Sequence, residues 1–291
     1  MWIHGGIDVD KKYFVVSDIH SFCRELKKGL KQAGFDKENP DHILIVCGDV
    51  FDRGHQTLQT YKFLKSIPED RCILIRGNHE SLYFELLEKD YPEEHDFSNG
   101  TVLTFCQIAG FEMDTVYDLR TGLIYRFDPN GILNDYLDLW NNVRTKVRNS
   151  HVTEWLQSSQ WKNYYELGDY IFVHSFIPLY FDNRGKNLRE EYFIYYGETE
   201  YFRFKPDWRQ ATDQEWEKAS WGQPFVFFDA GFFDAEKENG KILVCGHYRC
   251  SEFNEHYLGL EKCHDIYKGT NLIAIDATTA LSKKVNVLVI E

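Results

Sequence analysis

No run of about 18 consecutive apolar residues occurs in this chain of 291 residues, so no membrane-spanning helix is expected. The opening stretch, MWIHGGIDVDKKYF, has no basic segment followed by an apolar one, and no secretory leader is read from it. Basic charge is scarce: Lys+Arg 33 against Asp+Glu 46 leaves a net charge of −13. A broad footprint on a nucleic-acid duplex is thereby disfavoured, because such surfaces are basic. No C-x-x-C pair occurs, which removes zinc ribbons and thioredoxin-type motifs. The seven cysteines are scattered, and Cys47 and Cys72 sit inside apolar runs, where a thiol acts as a small hydrophobe. A reduced, cytoplasmic setting is the expectation. Nothing in the sequence indicates an oligomeric state.

What is present is an ordinary globular balance, 43% hydrophobic and 27% charged, with a high aromatic share of 16%. The first third alternates. KYFVVS (12–17), HILIVC (42–47) and CILIR (72–76) read as buried strands. The segments 21–31, 57–66 and 79–89 carry apolar residues at helical spacing. Strand, helix, strand, helix, strand is the pattern of parallel βαβ units, whose ligands bind beyond the carboxyl ends of the strands. YPEEHDFSNG (91–100) reads as a loop, and a helix is expected over 133–148. Further strands are expected at DYIFVH (169–174) and KILVCGH (241–247). NLIAIDA (271–277) and KKVNVLVIE (283–291) read as a final strand pair. We expect one domain, residues 1–291, with insertions at about 90–150 and 176–240.

The strand ends carry the chemistry. The first ends in Ser17-Asp18-Ile19-His20, the second in Gly48-Asp49 followed by Asp52-Arg53-Gly54, and the third in Gly77-Asn78-His79-Glu80. Later strands end in His174 and in Gly246-His247. Taken singly, each has a bland reading: Asp and Gly suit turns, and a lone histidine is usually hydrogen-bonded structure. Taken together, five strands deliver carboxylate, imidazole and amide ligands to one rim. That donor set suits manganese, iron, zinc or nickel. Two such ions sharing a carboxylate would activate a water for in-line attack on phosphorus. The zincin pattern is absent, because residue 83 is Tyr83 where a second histidine would stand.

SDIH (17–20), GDVFDRG (48–54), GNHE (77–80), FVHS (172–175) and CGHY (245–248) together resemble the calcineurin-like metallophosphoesterases. Within them the set is similar to the phosphoprotein phosphatase branch, which includes Ser/Thr protein phosphatases and symmetrical dinucleoside tetraphosphate hydrolases. The resemblance implies an α/β fold, a four-layer α/β/β/α sandwich with mixed sheets and α-rich or irregular insertions. It implies two divalent or trivalent metal ions, manganese first, with iron, zinc, nickel or magnesium as alternatives. Asp18, His20 and Asp49 would hold one ion; Asp49, Asn78, His174 and His247 would hold the other. His79 would be the general acid, Asp52 its support, and Arg53 the grip on phosphate, with Asn78 and Gln223 as further substrate contacts. Glu80 is expected to cap the helix that begins beside it. Residue 249 is Arg249, so the second histidine of the broader superfamily's GHxH is absent.

Two departures stand out. Ser17 and Ser21 replace glycines of the branch pattern. Gln223, in Trp221-Gly222-Gln223, stands where relatives often place a second phosphate-binding arginine, with Arg203 and Arg209 as possible substitutes. The expected partner is a phosphorylated substrate, a phosphoprotein or a small phosphoester. A dinucleoside polyphosphate or other nucleotide is the alternative. The aromatics Tyr195, Tyr196, Phe202, Trp208, Trp216 and Trp221 could stack on a base or simply pack a core. A third reading is an inactive binding module, which predicts a broken ligand set. Cys250, His256, Cys263 and His264 could form a zinc site or be scattered loop residues, and their spacing fits no familiar pattern.

Overall fold

The structure, a computed structural model, describes residues 10–125, 133–181 and 202–291. Its first third follows the apolar runs. β1 (Lys12–Val16), β2 (His42–Cys47) and β3 (Cys72–Ile75) alternate with α1 (Cys23–Ala33), α2 (Thr57–Lys65) and α3 (Asn78–Glu88). A helical insertion follows: α4 (Glu94–Asn99), α5 (Thr101–Ala109), α6 (Met113–Tyr125), α7 (Leu133–Arg148) and α8 (His151–Leu156). Then come β4 (Trp161–Lys162), β5 (Tyr165–Leu167) and β6 (Tyr170–Phe172), and the antiparallel pair β7 (Leu179–Phe181) and β8 (Phe202–Phe204). The remainder runs α9 (Asp213–Ala219), α10 (Pro224–Asp229), β9 (Ile242–Cys245), α11 (Cys250–Leu258), β10 (Tyr267–Lys268), β11 (Leu272–Ala274), α12 (Thr279–Ser282) and β12 (Leu288–Ile290).

Two five-stranded mixed sheets result, ordered β12-β1-β2-β3-β4 and β10-β11-β9-β6-β5. The period of two along each strand separates three cores. From the first sheet Val15, Ile45 and Ile75 point inward and meet Phe172, Val244 and Ile273 of the second. Phe14, Val16, Leu44, Val46 and Leu74 point the other way, under the helices of the N-terminal half. Ile171, Val173, Leu243 and Cys245 form the outer face of the second sheet, covered by Trp216, Phe225 and Phe253. Helices, sheet, sheet, helices: this is the four-layer α/β/β/α sandwich, with helices in the insertions.

Two expectations are corrected. The stretch read as a loop at 91–100 contains α4, closed by a capping box in which the Glu93 N–H donates to Asp96 at 2.7 Å. Six residues with a single apolar one, Phe97, are too few to show a helical period. The two final runs do not pair with each other: β11 pairs β9 and β10 in the second sheet, whereas β12 pairs β1 in the first. The chain between them carries α12 and crosses from one sheet to the other. The 176–240 stretch contains β7, β8, α9 and α10 among its described residues.

Candidate metal centre

β1, β2 and β3 run parallel, as do β6 and β9, so the loops at their carboxyl ends share one rim. The rim backbone is strained. Among the described residues, eleven non-glycine positions have positive φ, and Asp18, His20, Ser21, Asp49, Asp52, Arg53 and His247 account for seven of them. The left-handed region is unfavourable for such residues and concentrates at functional sites, at roughly 1–3 kcal/mol each. The loops hold one another in place. Asp18 N–H donates to Gly48 O (3.2 Å), His20 N–H to Asp49 O (2.9 Å) and Ser21 N–H to Val50 O (2.8 Å). Gly48, at φ +80, lies where three loops touch: a Cβ there would meet His174 Nδ1 at 2.5 Å and the Gly77 backbone at 2.7 Å.

Glu80 does more than cap α3. Its carboxylate, nearly wholly buried, accepts the N–H of Gly77 (2.7 Å), of Asp49 (3.0 Å) and of Val50 (3.0 Å). One side chain therefore ties the second and third loops together.

Six side chains expected as ligands converge. His20 Nδ1 donates to Phe51 O (3.0 Å), and His174 Nδ1 donates to Cys47 O (2.8 Å). Each Nε2 is left with its lone pair facing the rim. His174 Nε2 lies 2.9 Å from Asn78 Oδ1, 3.2 Å from His247 Nδ1 and 3.3 Å from Asp49 Oδ1. His20 Nε2 lies 3.7 Å from Asp49 Oδ2 and 4.0 Å from Asp18 Oδ1. Atoms about 2.1 Å from a common ion sit about 3.0–3.4 Å apart along octahedral or tetrahedral edges. Lone pairs aimed at one another at such distances repel unless a cation lies among them. The donor set thus fits metal ions, and Asp49 stands between the two groups. His79 Nε2 also approaches Asp49 Oδ2, at 3.8 Å, so it shares the first group's space.

The electrostatics agree. Burial, then the Asp49 charge, raises the Asp18 carboxyl to about 8. Burial works to raise Asp49 as well, but four imidazoles led by His174 and His79 outweigh it and hold it well below the usual carboxylate range. Burial, then neighbouring cations, lowers His20 well below its ordinary value; burial and His174 lower His247 to about 3. His20 and His247, disfavoured by burial as cations, offer lone pairs beside the Asp49 carboxylate, an arrangement that suits a metal ion.

Asp52 and His79 stand apart from this set as a pair. His79 Nδ1 donates to Asp52 Oδ2 at 2.6 Å. Burial lowers the His79 imidazolium, but Asp49 and the Asp52 hydrogen bond overcome it and raise the group to about 9. Arg53 Nη2 lies 3.2 Å from His79 Nε2, the ring nitrogen that Asp52 does not hold. The other two ligands of Asp52 come from a place the sequence reading did not indicate. Thr101 Oγ1 donates to Asp52 Oδ2 (2.9 Å) and Thr104 Oγ1 to Oδ1 (2.7 Å). The two hydroxyls stand three apart in TVLTFCQIA (101–109), but nothing in that pattern names the loop they meet.

The Trp221-Gly222-Gln223 loop borders the rim. The Trp221 ring centroid lies 6.4 Å from that of His247, and Ser175 Oγ donates to Gly222 O at 2.9 Å. Gln223 is half-buried at the start of α10. Arg209 cannot substitute there, because it is held by Glu166 and Glu238 and stacked over Trp208. Arg203 is exposed on β8. Of the aromatics offered for stacking, Phe202, Trp208 and Trp216 are buried in the second sheet's core; Tyr195 and Tyr196 lie outside the described residues. The zinc reading fails among the described residues: Cys250 Sγ donates to Ala274 O, and His256 pairs with Asp229. Glu93, His95 and Asp96 also cluster, but the Lys89 ammonium already fills that cluster.

The sequence pattern of the calcineurin-like phosphoesterases matches residues 11–275. Among curated proteins, the chain is 39% identical over 80 residues to serine/threonine-protein phosphatase 7 of Arabidopsis thaliana, covering 26% of this chain and 19% of that protein. It is 36% identical over 67 residues to a symmetrical bis(5'-nucleosyl)-tetraphosphatase of Colwellia psychrerythraea (strain 34H / ATCC BAA-681), covering 23% and 22% respectively. The chain thus spans about a fifth of the length of these curated relatives. Among solved structures, a point variant of a cold-active protein tyrosine phosphatase superposes with a TM-score of 0.50 at 16% identity, covering 97% of this chain and 75% of that one. The last likeness is one of fold. Among the described residues no helix is long and apolar enough to cross a membrane.

Proposed function

The chain belongs to the calcineurin-like phosphoesterase family, and on that premise we propose that it hydrolyses phosphate esters with two bound metal ions. One observation carries the reading: the two oxygens of Asp49 face different imidazoles, Oδ2 toward His20 and Oδ1 toward His174. A carboxylate so placed suits a bridge. Asp18, His20 and Asp49 would hold one ion, and Asp49, Asn78, His174 and His247 the other. The ions, manganese first among the candidates, would polarise a water and the phosphoryl oxygens for in-line attack.

The chain's own groups do the rest. Arg53 grips phosphate oxygens with its guanidinium fork. Asn78 would offer its amide oxygen to a metal ion and keep its NH₂ for substrate. His79 gives its Nε2 proton to the departing oxygen, while Asp52 fixes Nδ1–H and the ring's orientation. Gln223 contributes hydrogen bonds without charge at the rim. We take residues 1–291 as one domain, and a phosphoprotein or small phosphomonoester as substrate. The seven cysteines are free, which suits a reducing compartment such as the cytoplasm.

A dinucleoside polyphosphate is the second reading, favoured by Trp221, half-buried beside His247, where a base could stack. Catalytic efficiencies on phosphopeptides, aryl phosphate and dinucleoside tetraphosphate, measured with manganese, decide between them. Trp221→Ala should lower only the dinucleotide's efficiency, by about 10-fold or more, if that reading holds. An absence of turnover on every substrate by the metal-loaded protein would refute both.

A further inference from the structure

The buried polar stripe of α5 has no part in the metal centre or in the substrate contacts. α5 is otherwise a core helix, with Val102, Phe105 and Cys106 buried in the first sheet's outer core. Thr101, Thr104 and Gln107 recur every three residues and so fall on one side of it. All three are spent on a single turn of chain. Thr101 and Thr104 each give a hydroxyl proton to Asp52, one to each carboxylate oxygen. Thr104 Oγ1 also accepts the Asp52 N–H at 3.0 Å. Gln107 Nε2 donates to Gly54 O (2.9 Å), and its Oε1 accepts the Thr57 N–H (3.0 Å). Just before the stripe, Gly100 has φ +88, and a Cβ there would lie 2.4 Å from the Arg53 nitrogen. The helix therefore seats the whole turn that carries Asp52 and Arg53.

Thr101 and Thr104 are wholly buried, and Asp52 is almost so. A carboxylate in such a place must have its lone pairs filled. His79 fills one site on Oδ2 and the two hydroxyls aim both oxygens. Threonine is a mediocre helix former, so its choice at both positions runs against local preference.

We propose that Thr101 and Thr104 are positioning residues for the general acid: they orient the Asp52 carboxylate, and through it the His79 ring. This rests on the proposed role of His79. The helical insertion is then a working part of the active site, joined to it across about 50 residues of sequence.

The test replaces both hydroxyls in Thr101→Val/Thr104→Val and keeps them in Thr101→Ser/Thr104→Ser, with each single valine variant made as well. Two readouts are taken. The first is the downfield Nδ1 proton resonance of His79 in ¹⁵N-histidine-labelled, metal-free protein, assigned by its loss in Asp52→Asn. The resonance should be lost or exchange-broadened in the valine variants and kept in the serine variant. The second is kcat on an alkyl phosphate, whose leaving oxygen needs a proton, against kcat on p-nitrophenyl phosphate, whose leaving group does not. The double valine variant should lose about 100-fold on the first and under about 5-fold on the second, with KM unchanged and the serine variant restored. A sharp, unshifted resonance in folded valine variants, or equal losses on both substrates, would overturn the proposal. If wild-type protein turns over neither substrate, the hydrolase reading fails, and the resonance alone decides whether the hydroxyls position the ring. If the double variant does not fold, the single variants carry both readouts.

Discussion

At the scale of single residues, two carboxylates three apart in sequence receive different work from their surroundings. Asp49 is ringed by imidazoles, which keep it ionised, whereas Asp52 meets hydroxyls and one imidazole N–H. Asp49→Ala should abolish both metal binding and turnover. His79→Asn should leave metal binding intact and cut kcat on alkyl phosphates by about 100- to 10,000-fold, as measured in initial rates. A general acid works only while protonated, so activity falls as pH rises through its pKa. Asp49 and Asp52 raise His79 to about 9; bound cations would offset the Asp49 charge, so the metal-loaded protein's alkaline limb should lie below that value. Asp52→Asn removes a further raising charge. Its alkaline limb should lie at still lower pH in a kcat–pH profile. An unmoved limb would mean that Asp52 does not act on the acid. The tip residues Asp18, Asp49, Asn78, His174 and His247 were legible in the sequence because each follows an apolar run that declares itself a strand. Thr101 and Thr104 were not, because a hydroxyl's partner depends on which helix lies over which loop, and no local pattern encodes that.

At the scale of elements, the βα turns are held by groups that seem peripheral to the chemistry. Glu80 accepts three backbone N–H donors from two loops. Glu80→Gln presents an NH₂ where a second acceptor is needed. It should cost about 2–3 kcal/mol in urea unfolding and weaken metal binding. The sequence indicated a helix cap at Glu80 but not the strut, since Asp49 and Val50 belong to another βα unit. Arg209 shows the reverse case. Proximity in sequence to the Trp221 loop suggested a phosphate ligand, but Glu166 and Glu238 hold it in an ion-pair network that also includes Lys241. Arg209→Ala should cost about 2–4 kcal/mol of stability and leave turnover within about 2-fold of wild type. Burial tends to raise Glu166, but Arg209 and Lys241 prevail and depress it. Its contribution is therefore full above the ordinary glutamate value of about 4.3 and lost as pH falls through the depressed one. Urea unfolding from pH 6 downward should show the wild type losing stability faster than the Arg209→Ala variant.

At the scale of the whole molecule, the candidate metal centre is where the two sheets meet. β1, β2 and β3 bring Asp18, His20, Asp49 and Asn78 from one sheet, and β6 and β9 bring His174 and His247 from the other. His247 N–H donates to Asp18 across the seam at 2.9 Å, and His174 Nδ1 reaches Cys47 O. Cations bound there would clamp both sheets, so manganese at about 100 times its Kd should stabilise the fold by about 2.7 kcal/mol in thermal or urea unfolding. Asp49→Ala should lose that gain. The parallel βαβ units were legible from the alternation of strands and helices, and the sandwich only through the family that the motifs resemble. The destination of the last strand was not: two short apolar runs give no sign of which sheet each will join. The most direct test of the central claim is the initial rate of phosphomonoester hydrolysis by metal-free protein as manganese is added per chain. Two bound ions predict negligible rate before metal, a rise that continues beyond the first equivalent, and a plateau at the second. Undiminished turnover in the presence of a strong chelator, or a plateau at one equivalent, would contradict it.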